Sequence, residues 1–236
     1  MGFTVDIGLN WYDYYGDFKD NWLNLGLPVG SFQTEKLFNY YYNGDATIAI
    51  ILYFPNFWEL TLDFFNWSKT KESIFTFFKW DTDWTTCFFR YLIRKNKLHQ
   101  HLQNNTAILY NFNGVIYHIN CKYGLFDFLN NKAIINETIK CWGRMLNNFK
   151  YSIFIRVPLK QELLPKSFEN NILRSTIESY DIGWNVIRTN IKTNSIIQFE
   201  EINDFNLGDY YPWDIHWNED GNRKFAKYIS QFLIQF

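Results

Sequence analysis

The chain has 236 residues, enough for one α/β domain with a sizeable core. A formal net charge of −1, with no long Lys/Arg run, excludes the basic footprint of a nucleic-acid binder. No apolar stretch approaches the ~18 residues of a membrane span.

Met1 to Asn10 shows neither the basic start nor the apolar stretch of a signal peptide. Cys87, Cys121 and Cys141 are odd in number and widely spaced; they suit a reducing compartment, taken here as the cytoplasm, and give no zinc pattern. The aromatic share of 21% goes with abundant Asn, Ile and Lys, a bias that A/T-rich codons produce without any carbohydrate platform.

In chain order, Asp20 to Gly26 reads as a short strand running into a turn, Leu27-Pro28-Val29-Gly30. Ser31 then caps a helix carrying Leu37, Phe38, Tyr41 and Tyr42. Ala46 to Phe54 is an unbroken apolar run without alternation, the pattern of a buried parallel strand, and it ends at Pro55-Asn56-Phe57. Residues 59–130 are too long for a plain connection and predict an aromatic-rich insertion beside the site. Within it, Ala107 to Asn120 reads as a hairpin with Asn113-Gly114 at its tip. His99 and His101 could ligate a metal, but no Asp, Glu or Cys lies close in sequence; they read as a solvated basic face.

Ile135, Ile139, Trp142, Leu146 and Phe149 form a helical stripe, and Tyr151 to Pro158 the next buried strand. Phe168, Ile172, Leu173, Thr176, Ile177 and Tyr180 make a second stripe, and Gly183 to Arg188 reads as the last strand. Alternating strands and helices, with no repeat or linker, predict one α/β domain over 1–236. Its parallel sheet would carry helices on both faces, with the site at the C-terminal strand ends.

Near the C-terminus, Asp214 and His216 stand two apart, so in an extended segment both face the same side. Asp214 can hold one ring nitrogen of His216 and leave the other for chemistry. A lone histidine more often fills a gap. Here Asn218 follows as a helix cap, with Glu219 and Asp220 in the first turn, and the stripe Phe225, Ile229, Phe232, Leu233, Phe236 anchors that helix.

Asp214-x-His216-Trp217-Asn218-x-x-Gly221, followed by an amphipathic last helix, resembles the final block of the SGNH (GDSL-type) hydrolases. That resemblance implies a flavodoxin-like three-layer α/β/α sandwich with His216 as general base and Asp214 as its orienting acid. Asn24-Leu25-Gly26-x-Pro28-x-Gly30 is similar to the second block, which implies that the Gly26 N–H serves an oxyanion hole. Asn56, at a strand end 30 residues after Gly26, matches the third block's oxyanion Asn, although Phe54 and Phe57 replace its Gly and Asp. Val157-Pro158-Leu159-Lys160 resembles a strand-end segment of longer members. Of the first block, only Phe3-Thr4 and Gly8-Leu9 match; Asp6 departs from it, and Gly2 falls where the nucleophilic serine belongs.

The resemblance thus implies an ester hydrolase acting on a small-molecule or carbohydrate ester, O-acetyl groups included, with no cofactor or metal. It is inert as it stands if the serine belongs to sequence upstream of Met1 or has been lost. Ser31 is the one serine near a suitable turn, but it would leave a single strand between the first block and Asn56. The alternative is a non-catalytic, glycan-binding domain on the same fold.

Overall fold

Runs of β-branched and aromatic residues form the strands, and capped amphipathic stretches form the helices between them. The computed structural model describes residues 47–55, 107–120, 130–168, 171–213 and 216–233, together with Glu35, Phe38, Asn39, Tyr42, Gly44 and Trp58. The order is β1 (Ile48–Tyr53), β2 (Ala107–Phe112), β3 (Val115–Asn120), α1 (Lys132–Leu146), β4 (Tyr151–Arg156), α2 (Asn171–Asn190), β5 (Ile196–Glu201) and α3 (Glu219–Leu233). Short 3-10 turns lie at Lys160–Leu163 and Leu207–Asp209.

β1, β4 and β5 make a parallel sheet in the order β1-β4-β5, with Ile50 opposite Ile153 and Ile153 opposite Gln198. Alternation along these strands divides the core. Tyr53 and Phe154 face α1 and α2, meeting Trp142, Met145, Tyr180 and Trp184. Leu52, Ile153 and Ile155 face α3, meeting Phe225, Ile229 and Phe232. Among the described residues the chain is therefore an α/β structure with a parallel three-stranded sheet flanked by helices on both faces, as the alternating pattern predicts. Truncating a fully buried ring such as Phe154 in such a core costs about 3–5 kcal/mol.

The boundaries follow local chemistry. Asn131 caps α1 by accepting from the Ile134 N–H at 3.2 Å. The β2–β3 hairpin turns through Asn113 and Gly114, both at positive φ (51° and 84°), which is the reason for the Asn-Gly pair. This hairpin is antiparallel and packs Tyr117 and Ile119 on Leu164, Leu173 and Leu207.

One expected element is corrected. Gly183 to Arg188 is not a strand; it is the second half of α2, and the third strand of the sheet is Ile196–Glu201. Tyr180, Trp184 and Ile187 continue the stripe begun by Leu173 and Thr176, and all five are buried. Gly183 interrupts the pattern because Trp58 and Tyr53 press against its Cα. An added Cβ there would lie 2.6 Å from Trp58 Nε1 and 3.1 Å from the Tyr53 hydroxyl. The glycine marks a close helix–strand approach rather than a helix end.

Candidate functional site

The segment that carries His216 is built from its backbone upward. Asn206 caps the Leu207–Asp209 turn by accepting from the Gly208 N–H at 2.8 Å. Asp209, buried, accepts from the Asn206 N–H at 2.7 Å and pairs with Lys224 of α3 at 2.8 Å. Tyr210 and Trp217 then form an antiparallel bridge, and the Tyr211 N–H donates to the His216 carbonyl at 3.1 Å. The backbone is thereby pinned together at Tyr210–Trp217 and at Tyr211–His216.

The residues after His216 have structural duties that account for much of the sequence motif. Trp217 is buried between Phe205 and Phe225, with ring centroids 5.3 and 4.9 Å away. Asn218 caps α3, its Oδ1 accepting from the Gly221 N–H at 3.1 Å, while its Nδ2 donates to the Gly208 carbonyl at 2.6 Å. At Gly221 a Cβ would collide with the Asp209 carbonyl oxygen, so the helix can approach this turn only with glycine there.

The loop lies at the C-terminal ends of the strands. Phe54, just past β1, packs on Trp217 with ring centroids 5.8 Å apart and the rings tilted by 44°, and the Tyr210 hydroxyl donates to the carbonyl of Pro158, just past β4. Burial raises the Tyr210 phenol far above its ordinary range, so it remains a donor. The hairpin closes in from the side: the Pro212 carbonyl accepts from the His118 N–H at 2.8 Å and from Lys160 Nζ at 3.0 Å. Residues 107–120 thus touch this loop through His118.

Of the residues singled out by sequence, His216 is described; it is half-buried in this loop. Asp214, Gly26, Asn56 and Ser31 lie outside the described residues, as do His99, His101 and the strand expected at Asp20 to Gly26. Among the described residues, no group of three His, Cys, Asp or Glu side chains is arranged to hold a metal ion. No described helix is long and apolar enough to cross a membrane.

Two features escaped the sequence reading. Arg156, at the end of β4, is almost buried; it pairs with Glu162 and lies 2.7 Å from Asp181 and 3.7 Å from Glu201. Glu162 also accepts from the Leu159 N–H at 2.7 Å, and Glu201 accepts from Trp184 Nε1 at 2.6 Å. Burial raises the Glu162 carboxyl, with Arg156 pulling the other way. The second is Lys160, a buried lysine. The signal for the first was a charged residue closing the apolar run Tyr-Ser-Ile-Phe-Ile-Arg. For Lys160 there was none beyond its strand-end position.

No family model, no curated protein and no solved structure matches the chain.

Proposed function

We propose that the chain carries the site of an SGNH-type ester hydrolase on a flavodoxin-like three-layer sandwich. His216 acts as the proton-transferring base, Asp214 orients it, and the Gly26 N–H and the Asn56 side chain stabilise an oxyanion. The observation that carries this reading is the position of the His216 loop beside the ends of β1 and β4. Ligands of open α/β sheets bind in the crevice outside those ends. The substrate class is an acyl ester, including O-acetyl groups on carbohydrate, in a reducing compartment such as the cytoplasm. The serine position of the pattern falls on Gly2, so turnover by the present residues is near zero unless Ser31 serves as nucleophile.

Nitrophenyl acetate hydrolysis tests this. We expect a rate near background for the chain itself. With a strand-length lead and a Gly-x-Ser block fused at the N-terminus, turnover rises by orders of magnitude, and His216→Ala removes the gain. A burst in the unmodified chain that Ser31→Ala abolishes would transfer the nucleophile to Ser31. No hydrolysis in either form would sink the enzyme reading and leave the second one, a glycan-binding domain. That reading is favoured by Gly2 in the serine's place and by Trp213, 61% exposed on the same loop.

A further inference from the structure

We propose that Lys160 is a positioning residue, whose buried ammonium fixes the loop carrying His216 and couples that loop to the β2–β3 hairpin. The inference rests on the reading of His216 as the reacting base. Lys160 is 4% exposed. Burying an ammonium is costly unless its N–H groups are satisfied. Here Nζ donates to the Pro212 carbonyl at 3.0 Å and to the His118 carbonyl at 3.3 Å, and it sits 5.6 Å from the centre of the Tyr117 ring.

The geometry makes this a fixed point. Pro212 has no N–H, so its carbonyl is the one backbone hydrogen-bonding group by which it can be held. That carbonyl accepts from two donors on two different elements, the His118 N–H of β3 and Lys160. Lys160 belongs to a turn that is itself locked: Glu162 accepts from the Leu159 N–H, and the Pro158 carbonyl accepts from the Tyr210 hydroxyl. The turn after β4 thus grips the loop twice, at Tyr210 and at Pro212, on the approach to His216. A general base must be held to a fraction of an ångström for proton transfer, and remote anchors of its loop supply that. A neutral side chain of similar length would keep the apolar packing and lose the grip on Pro212.

The test is Lys160→Met in the full chain, with amide exchange and the His216 ring-proton signal read by NMR. We expect the Tyr211 and His118 amides to exchange at least about tenfold faster while Ile153 and Phe154 in β4 keep their rates. We also expect the single His216 signal to broaden or split as the loop samples more than one arrangement. Where the chain or its serine-restored form hydrolyses esters, kcat falls with KM little changed. Unaltered exchange at Tyr211 and an unaltered His216 signal would overturn the proposal, and so would exchange that rises equally in β4. If Lys160→Met does not fold, Lys160→Gln, which keeps one donor, is measured the same way; failure of both to fold would make the residue merely structural and overturn it. Absence of ester hydrolysis in the unsubstituted chain would remove the enzyme reading but leave the exchange and ring-signal outcomes to decide Lys160's role.

Discussion

The two ends of the parallel sheet are held together by different chemistry. At the N-terminal end the buried polar contact is neutral: the Ser152 and Ser195 hydroxyls meet at 2.7 Å. Close by, Asn147 accepts from the Thr193 hydroxyl and the Asn194 N–H, both at 2.8 Å. Among the described residues, the Arg144–Glu35 pair at this end keeps contact with solvent, Arg144 being 52% and Glu35 17% exposed. At the C-terminal end Arg156, Glu162, Lys160 and Asp209 are all nearly buried. Buried charge is a poor source of stability, because desolvation opposes the attraction. A fold that concentrates it at one end gives that end fixed, polarised groups, and that is the end at which α/β sheets bind ligands.

The largest effect that probes this contrast is at Arg156. Arg156→Met leaves Glu162 buried without its cation and should lower the unfolding free energy by about 3–5 kcal/mol. Adding Glu162→Met should recover about half or more of the loss, since a well-packed apolar pair substitutes for a buried ion pair. Urea denaturation of the two variants measures both numbers. A double variant as unstable as the single one would mean that the network contributes net stability, against the contrast drawn between the two ends.

The neutral end should respond less. Ser152→Ala leaves the buried Ser195 hydroxyl without this partner and should cost about 1–2 kcal/mol. The double change Ser152→Ala with Ser195→Ala should return to within about 0.5 kcal/mol of the parent, because neither hydroxyl then remains unmatched. Thermal melts of the single and double variants check the cycle. A double variant worse than the single one would show that the pair does more than satisfy itself.

Much of the fold was legible because strand and helix periods are written in the apolar residues. Ile48–Tyr53, Tyr151–Arg156, the Asn113-Gly114 hairpin and the Asn218 cap of α3 all stand where the pattern puts them. The error at Gly183 had a physical origin. A glycine inside a helix looks like a break, and only the packed partners Trp58 and Tyr53 reveal why it is tolerated. The candidate site was legible in part. Trp217, Asn218 and Gly221 of the motif prove to have packing and capping duties. The buried charges around it join residues distant in sequence, such as Lys160 with Pro212 and Arg156 with Asp181. Such pairings depend on tertiary packing, which no local period encodes.

The smallest effect lies in the solvent-exposed pair at the N-terminal end, and it appears as a pH dependence. Arg144 donates to both Glu35 oxygens, at 2.5 and 2.8 Å, and this hydrogen bonding holds the Glu35 carboxyl below its ordinary value. The folded state therefore favours the ionised form. Stability from the pair is fully present above the ordinary carboxyl range of about 4.3 and is lost as pH falls through the depressed folded value. Glu35→Gln removes the titrating group. The difference in unfolding free energy between the parent and this variant should be less than about 1 kcal/mol at pH 7, because Arg144 is half-exposed and water screens the pair. It should shrink toward zero as the pH falls below the ordinary carboxyl range and Glu35 takes up its proton in the folded state. Burial, and then Glu35, push the neighbouring Cys141 thiol up to about 12, so it stays protonated over this range and does not contribute to the slope. A difference that grows on acidification would reverse the sign of the linkage. A loss at pH 7 as large as that of Arg156→Met would mean that charge is no cheaper to hold at the exposed end of the sheet than at the buried one.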